Sequence, residues 1–314
     1  ESLSRLPGLS GERVGGRTSG ISVRGFKEDF TGTSLNGREL IGIGDNRGVE
    51  YDLYPSEIMT GATIYKTTDA TLMVQGIGGT VDLRTVRPLQ AKETLTVNGT
   101  YEANQSDSDN PEFDNKGKRL ALSFVEKFAD DTIGLALAAA TTESPNNQRK
   151  YGVWGYSENA DGQLLPTGLD TQSISTELER DTISAVLQFR PNDKLDISID
   201  ALDIDYSDSG VLRGFIEPFS SANVTGSGAN STGTQINANP VLRTDPLQKD
   251  GDLQVFGLNL EYQLNDNWSV EFDAASSESE KHDSRGESYA GLARSGALNS
   301  SQLGSRDFVM TPDG

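Results

Sequence analysis

Apolar and polar residues alternate through the second part of the chain, from about residue 93 onward. Successive side chains of a β-strand point to opposite faces, so a period of two predicts strands that are apolar on one face. Seven such segments are predicted, at 95–101, 119–124, 133–139, 183–189, 195–199, 256–262 and 268–274. In the fifth segment the apolar positions change phase after Ala201, which predicts a β-bulge there.

The connections between these segments fall into two classes. Three are short, at 129–131, 191–193 and 265–267, and three are long and polar, at about 103–118, 142–181 and 207–251. Short turns at one end and long loops at the other are typical of an outer-membrane β-barrel, whose interfaces also carry aromatic girdles. Aromatic residues beside the short turns fit such a girdle: Phe128, Phe189, Tyr262 and Trp268.

The first 90 residues follow a different pattern, with short strands and glycine-bearing loops. Strands are predicted at 21–26, 62–66 and 80–84. The pair Asn36-Gly37 is favoured in tight hairpin turns, because both central positions need a positive φ. Pro55-Ser56-Glu57-Ile58 is typical of the first turn of a short helix, where Glu57 favours the helix dipole. The prediction is a small α+β domain.

Composition excludes several classes of function. The net charge is −20, which repels phosphate backbones and argues against a nucleic-acid partner. There is no cysteine and a single histidine, His282, so no metal site or cofactor is expected. Mean hydropathy is −0.49, and the sequence has no apolar run long enough for a membrane-spanning helix. The carboxylates are scattered over loops with no catalytic constellation, so we expect no enzyme.

Five ordered motifs in the first part carry a resemblance to a known family. They are ISVRGF at 21–26, LNGRE at 35–39, YDLYPSEI at 51–58, TIYKT at 63–67 and GIGGTVDLRTVRP at 76–88. The sequence resembles the TonB-dependent outer-membrane receptors, most of all the Caulobacter- and Xanthomonas-type subclass. The resemblance implies an N-terminally truncated plug domain at 1–90. It also implies, at 91–314, the first seven or so strands of an antiparallel transmembrane β-barrel that needs about 22 strands to enclose a plug.

The family resemblance also implies a function and partners. Such receptors lie in the outer membrane, in contact with its lipid, and bind a scarce solute above the plug. TonB, with its energised inner-membrane complex, pulls on a TonB box near the mature N-terminus so that the solute passes. Neither that box nor a signal peptide is found in this sequence, which starts at Glu1.

Candidate site residues follow from the same resemblance. Plug loops at about 26–34, 42–49 and 69–76 are expected to face the solute. The predicted ligand contacts there are Phe26, Lys27, Glu28, Asp29, Phe30, Asp45, Asn46 and Arg47. Arg24 and Arg84 are predicted to lock the plug to carboxylates of the barrel wall. For each of these residues the alternative interpretation is an ordinary solvent-exposed position that contacts neither a ligand nor the barrel wall.

A second candidate contact lies in the predicted second long loop. Tyr151, Trp154 and Tyr156 are close in sequence, and aromatic rings stack on the apolar faces of sugars. We therefore expect uptake of a small nutrient, most of all an oligosaccharide. Uptake of a ferric siderophore or another metal chelate is the alternative substrate. A soluble, secreted β-rich binding or adhesion protein is the alternative class. A locally packed loop explains the three aromatics equally well.

Overall fold

The computed structural model describes residues 3–14, 17–44, 46–54, 56–158, 162, 164–218, 221–225, 232–236, 240–291 and 305–309. Its strands, in chain order, are β1 Leu9–Val14, β2 Arg17–Val23, β3 Thr31–Leu35, β4 Arg38–Glu39, β5 Met59–Tyr65, β6 Gly79–Thr85, β7 Thr94–Ala103, β8 Lys116–Phe128, β9 Ile133–Val153, β10 Tyr156–Glu158, β11 Leu164–Pro166, β12 Gly168–Asn192, β13 Leu195–Pro218, β14 Ser221–Thr225, β15 Thr232–Ile236, β16 Val241–Asn265, β17 Trp268–Arg285, β18 Tyr289–Ala290 and β19 Ser305–Val309. Short 3-10 helices lie at Leu3–Arg5, Glu28–Phe30 and Ser56–Ile58.

The N-terminal part, here called the plug, contains a four-stranded sheet in the order β4-β3-β6-β5. Strands β3 and β6 are parallel, and β1 and β2 form a separate antiparallel hairpin. Strands β5 and β6 confirm two of the predicted strands, whereas β2 overlaps the one predicted at 21–26 only over 21–23, because the chain turns at Arg24. The predicted helix is one 3-10 turn from Ser56, and Pro55 lies outside the described residues.

The turn between β3 and β4 confirms the hairpin prediction at Asn36-Gly37. The two residues have φ values of 55° and 85°, as a type I′ turn requires. The Asn36 side chain donates to Thr85 Oγ1 at 2.9 Å and accepts from the Thr85 amide at 3.1 Å. The turn therefore also fixes the end of β6.

The second part of the chain forms one large antiparallel sheet, here called the wall. Its seven long strands lie in the order β17-β16-β13-β12-β9-β8-β7, each paired with its sequence neighbours, and β18 pairs with β16. The predicted seven-stranded antiparallel arrangement and its three short turns are confirmed. In the first of these turns Ala129, Asp130 and Asp131 all have positive φ, between 53° and 61°. Aspartate tolerates this conformation better than most residues.

Two of the three predicted long loops are wrong in extent, because the strands continue into them. Strands β12 and β13 stay paired from Phe189 and Ile197 out to Gly168 and Pro218. The remaining connections run over 154–167 and 219–240. Backbone hydrogen bonds sustain the pairing, whereas apolar alternation marks only the portion of a strand with an apolar surrounding on one face. The sequence pattern therefore underestimates these strands.

The two faces of the wall differ in character. Large apolar side chains are exposed on the face away from the plug: Leu95, Val97, Leu120, Leu122, Leu137, Ile183, Leu187, Phe256, Val270 and Phe272. The four predicted girdle aromatics, Phe128, Phe189, Tyr262 and Trp268, are exposed beside the short turns as well. Among the described residues, no helix is long and apolar enough to cross a membrane.

The predicted β-bulge in β13 is wrong. Pairing with β12 and β16 continues without a shift through Ala201. The apolar residues change face instead, since Leu202 and Ile204 are buried against the plug. The phase change therefore marks the point at which the apolar contact moves from the outer face of the wall to the plug.

Plug and wall share one hydrophobic core. Its plug members include Val23, Leu35, Val81 and Leu83, and its wall members are Ala138, Leu202, Ile204, Leu253 and Val255. A cluster that draws on both parts stabilises their contact through the area that both remove from water.

The first long connection, 104–115, packs on the outer face of the wall, near the ends of the strands that lie away from the short turns. Asp109 accepts hydrogen bonds from Arg149 at 2.6 and 2.7 Å, and Glu112 accepts from Arg213. The Arg149 hydrogen bond lowers the pKa of Asp109 to about 2. Asn110 is buried and donates to Ser175 Oγ at 2.9 Å. This acidic segment is thus ion-paired and ordered against the wall.

Candidate functional site

Two of the three predicted plug loops are joined by direct hydrogen bonds. Asn46 donates to Glu28 Oε1 at 2.6 Å, and the Arg47 amide donates to Asp29 Oδ1 at 3.0 Å. Asp45 lies outside the described residues. Just past the third loop, the Gly78 amide donates to the Phe30 carbonyl oxygen of the first loop at 2.9 Å. The three loops thus form one surface, here called the apex.

The first loop is shorter than predicted, because its second half is strand β3. Thr31, Thr33 and Ser34 are buried at the centre of the plug sheet. The segment Thr31–Leu35 contains only one large apolar residue, so its burial leaves little pattern in the sequence. The part of this loop that lies outside β3 covers residues 26–30.

Apolar side chains are exposed at the apex. Phe26 and Phe30 pack edge to face, with ring centroids 6.2 Å apart, and both are nearly half exposed. Lys27 is exposed between them. Met73 and Ile77, in or beside the third loop, are 87% and 79% exposed. The sequence analysis did not single out these two; Ile77 stands alone among glycines, whereas Met73 lies in the apolar run Leu72-Met73-Val74.

A cleft of about 350 Å³ opens between the apical loops. Its lining residues from the three loops include Asp29, Phe30, Arg47, Val74, Gln75 and Ile77. Apolar rings with a few polar and charged groups are the usual lining of a small-molecule site. Asp29 and Arg47 thus lie together with Phe30, as the prediction requires, while a role in binding stays a prediction.

Glu50 supports the second apical loop from below. Its carboxylate accepts from the Ile43 amide at 3.0 Å. A Cβ atom at Gly42 or Gly44 would approach this carboxylate to within 2.5 Å, so the loop wraps closely around it. Burial raises the pKa of Glu50, and the nearby charges of Glu28 and Asp52 act in the same direction.

The aromatic trio is not gathered into one cluster in the described part of the chain. Tyr151 is exposed near the end of β9, and Tyr156 is exposed at the start of β10. The Trp154 ring lies over Gly168, where a Cβ atom would approach it to 2.2 Å. The three positions, at the end of β9 and in the connection after it, remain candidate sugar contacts.

The contacts described for Arg24 and Arg84 lie within the plug. Arg24 donates to the Lys66 carbonyl oxygen, and Arg84 pairs with Asp82 of its own strand at 2.6 Å. Arg24 has a φ of 57°, which turns the chain out of β2 after Val23. The lock predicted for Arg24 and Arg84 therefore stays a prediction, without a described contact to the wall.

Arg38 makes the contact predicted for the lock. It lies on β4, is only 7% exposed, and reaches Asp200 at 2.6 Å and Asp273 at 2.7 and 3.1 Å. Asn259 donates to Asp273 at 3.0 Å. A Cβ atom at Gly257 would lie 1.8 Å from Arg38 Nη1, so the guanidinium fits only because this position is glycine.

Two further arginines connect the wall to the plug. Arg119 of β8 donates to Glu57 at 2.6 Å, and Arg180 of β12 donates to the Asp52 carbonyl oxygen. Burial acts to raise the pKa of Glu57, but the hydrogen bond from Arg119 lowers it below its usual value. Glu57, predicted only to favour a helix dipole, is therefore a plug-to-wall contact.

Comparison with known families identifies the N-terminal part. Residues 1–81 match the family model described as the TonB-dependent Receptor Plug Domain. The predicted plug is thereby confirmed, whereas the boundary at residue 90 and the Caulobacter- and Xanthomonas-type subclass stay predictions. No curated protein sequence matches the chain.

Several solved structures have a similar arrangement. The ferric citrate transporter FecA is 13% identical with a TM-score of 0.37, and the match covers 92% of this chain and 56% of FecA. The ferric enterobactin receptor PfeA from Pseudomonas aeruginosa is 9% identical with a TM-score of 0.42, and the match covers 89% of this chain and 46% of PfeA. The alcaligin receptor FauA from Bordetella pertussis is 16% identical with a TM-score of 0.34, and the match covers 92% of this chain and 54% of FauA. The chain thus spans about half the length of these receptors.

Proposed function

With residues 1–81 forming a TonB-dependent receptor plug domain, we propose that the chain is part of an outer-membrane receptor for energy-coupled uptake of a small nutrient. The observation that carries this proposal is the two-faced wall. Its inner face shares a core with the plug through Leu202, Ile204, Leu253 and Val255, and its outer face exposes large apolar side chains on six of the seven long strands, β13 being the exception. An apolar outer face is what a membrane β-barrel presents to lipid, and an inner face packed against a folded domain is what a barrel with a filled interior presents.

This arrangement argues against a secreted, soluble β-rich protein. The outer face of such a protein would be polar, whereas Leu122, Leu137 and Phe272 are exposed here. Contiguous exposed apolar surface is rare on soluble monomers. Fractionation of cells that express the complete gene tests this point. Recovery of the protein from the aqueous fraction without detergent would contradict the proposal.

Neutral oligosaccharides are the proposed substrates. The apex exposes Phe26 and Phe30, and the end of β9 with the connection after it exposes Tyr151, Trp154 and Tyr156, all of which offer flat apolar faces for sugar rings. The chain carries a net charge of −20, which disfavours an anionic metal chelate near its surface.

The proposed mechanism uses TonB as the partner that moves the plug. Force from the energised inner-membrane complex would have to break the Arg38 contacts with Asp200 and Asp273, because these hold β4 to two wall strands. We place the lock at Arg38, with Arg119 and Arg180 as secondary ties. A role for Arg24 and Arg84 against other wall strands remains a proposal without a described contact.

Growth of a deletion strain separates the two substrate classes. The strain is supplied with neutral oligosaccharides as sole carbon source, and separately placed in iron-limited medium with ferric siderophores. Loss of growth on one oligosaccharide, restored by the complete gene, is the expected result. Loss confined to the iron-limited medium would replace oligosaccharide by a metal chelate.

A further inference from the structure

A groove of about 370 Å³ lies on the outer face of the wall, across β12, β13, β16 and β17. Its floor consists of Ala185 and Ala201, which lie directly opposite each other on adjacent strands. The larger side chains of Ile183 and Phe256 flank this floor and are 64% and 51% exposed. The groove therefore arises from small residues placed between large ones, and a flexible apolar chain fits it.

The end of the groove that lies away from the short turns is polar. Asp203 lies directly opposite Ile183 and Gln254, and Gln254 lies directly opposite Glu278. All three polar side chains are exposed and line the groove. Neighbouring strands are about 4.8 Å apart, so the two strands that carry the carboxylates are about 10 Å apart. The amide of Gln254 lies between them.

More carboxylates lie just beyond this end of the groove. Two residues farther along each strand, four of them form a continuous row across the sheet: Asp181, Asp205, Asp252 and Glu280. In the part of the chain that the structure describes, neither these four nor Asp203 and Glu278 are in an ion pair. His282 follows two residues farther along β17, opposite Asp250. Six carboxylates without a paired cation attract a positively charged group.

The two parts of the groove match the two parts of a lipid molecule. The floor and flanks carry no charge and suit an acyl chain. The carboxylates attract a positively charged headgroup, whereas they repel an anionic one. A primary ammonium group also donates three hydrogen bonds, which carboxylate oxygens accept, and the Gln254 amide supplies donors for a lipid phosphate or ester oxygen. The chemistry therefore favours a lipid with an amine headgroup.

We infer that this groove binds a membrane lipid whose headgroup carries a primary amine. One acyl chain lies along Ala185 and Ala201, and the ammonium group lies at Asp203 and Glu278. The inference rests on the proposed outer-membrane function. It goes further, because it assigns a selective lipid site to a surface that uptake itself requires only to be apolar.

The test uses the complete receptor, purified in detergent and titrated with lipids that have identical acyl chains. The probes are phosphatidylethanolamine, phosphatidylglycerol and phosphatidylcholine, and native mass spectrometry counts the bound lipid, once with EDTA and once with magnesium chloride. We expect the wild type to bind phosphatidylethanolamine about tenfold more tightly than the anionic phosphatidylglycerol. Phosphatidylcholine should also bind more weakly, because its quaternary ammonium group has no N–H donor.

The first variant, Asp203→Asn with Glu278→Gln, removes both carboxylates at the headgroup end. We expect it to weaken phosphatidylethanolamine binding about twentyfold, at about fivefold for each charge near the membrane surface. The control is Asp130→Asn with Asp131→Asn, which removes two exposed carboxylates from the first short turn. Asparagine tolerates the positive φ of that turn, so this control should bind like the wild type.

The second variant, Ala201→Trp, fills the floor of the groove. We expect it to weaken binding about tenfold, because the indole takes the place of the acyl chain. The control, Ala139→Trp, changes an exposed position of β9 that does not line the groove, and it should leave binding unchanged. Ala201→Trp keeps all the carboxylates, so it tests the groove even if the charge variant does not fold. Heat-modifiable gel mobility shows which variants are folded.

Equal affinity of the wild type for phosphatidylethanolamine and phosphatidylglycerol would overturn the inference, and so would equal losses in a variant and its control. Tighter binding of phosphatidylglycerol that disappears with EDTA would also overturn it, in favour of an anionic lipid bridged by magnesium. These outcomes leave the proposed uptake function intact, whereas recovery of the receptor from the aqueous fraction without detergent would contradict both.

Discussion

At the scale of single residues, Arg38 shows how tightly the plug is fixed. Its guanidinium is buried between carboxylates of two wall strands, and Gly257 on the strand between them provides the space. A buried charge that loses its partner destabilises a protein by about 3–5 kcal/mol, because the remaining charge is left uncompensated.

Replacing Arg38 should therefore detach the plug more easily. We expect Arg38→Ala to lower the free energy of unfolding by about 3–5 kcal/mol. Gly257→Ala should act in the same direction, because its methyl group displaces the guanidinium. The measurement is a urea titration in detergent with plug release followed by limited proteolysis.

Arg84→Lys is the control, because it keeps a cation beside Asp82, the buried ion-pair partner in the same strand. It should leave plug release near the wild-type urea concentration. A larger effect for Arg84 than for Arg38 would return the lock to the residue first predicted from the sequence.

Glu50 makes the stability of the plug depend on pH. Its folded-state pKa is raised by burial, so the folded plug binds a proton more tightly than the unfolded chain. Stability is then greatest below the unfolded-state value of about 4.5 and falls as pH rises through the raised folded-state pKa.

Glu50→Gln should remove this dependence and stabilise the plug at neutral pH, because the side chain keeps an acceptor for the Ile43 amide. Thermal unfolding between about pH 4 and pH 8 is the measurement. Glu39→Gln, at an exposed position of β4, is the matched control. Identical pH profiles for wild type and Glu50→Gln would rule out this role.

At the scale of elements, the residues that fix backbone geometry were the most predictable. The Asn36-Gly37 turn followed from its sequence, because few residue pairs accept two positive φ values.

Gly37→Val should lower stability by about 1–3 kcal/mol, since a β-branched residue is strained at a φ of 85°. Gly61→Ala, in the same domain with open space around it, should be nearly neutral. Denaturant titration of both variants checks the difference.

Strand existence was predictable and strand extent was not. Apolar alternation identified β9 around Leu135 and Leu137, but the strand continues to Val153 through polar residues paired by their backbones. For the same reason the sequence predicts a loop where β3, with its buried threonines, is found. The contacts of Arg38 were also beyond prediction, because they join residues 162 and 235 positions apart.

At the scale of the whole molecule, the apolar outer face is the feature that distinguishes a membrane wall from a soluble sheet. We expect Leu137→Arg to hinder assembly of the complete receptor in the outer membrane. An arginine near the bilayer midplane costs about 2–4 kcal/mol and one near the interface about 0–1 kcal/mol.

The control, Thr141→Arg, places the same charge four residues farther along the same face of β9, toward the polar strand end. The folded fraction in isolated membranes, read from heat-modifiable gel mobility, is the measurement. Equal folded fractions for the two variants would contradict a lipid-facing surface at Leu137.

The core shared by plug and wall limits how such receptors can be recombined. A chimaera that carried this plug inside another receptor's barrel would lack Leu202 and Ile204 of β13 and Leu253 and Val255 of β16. In the chimaera the core between plug and wall would be incomplete, and Arg38 would lack its carboxylate partners. We therefore expect an exchange of specificity between receptors to succeed only when β13 and β16 are transferred together with the plug.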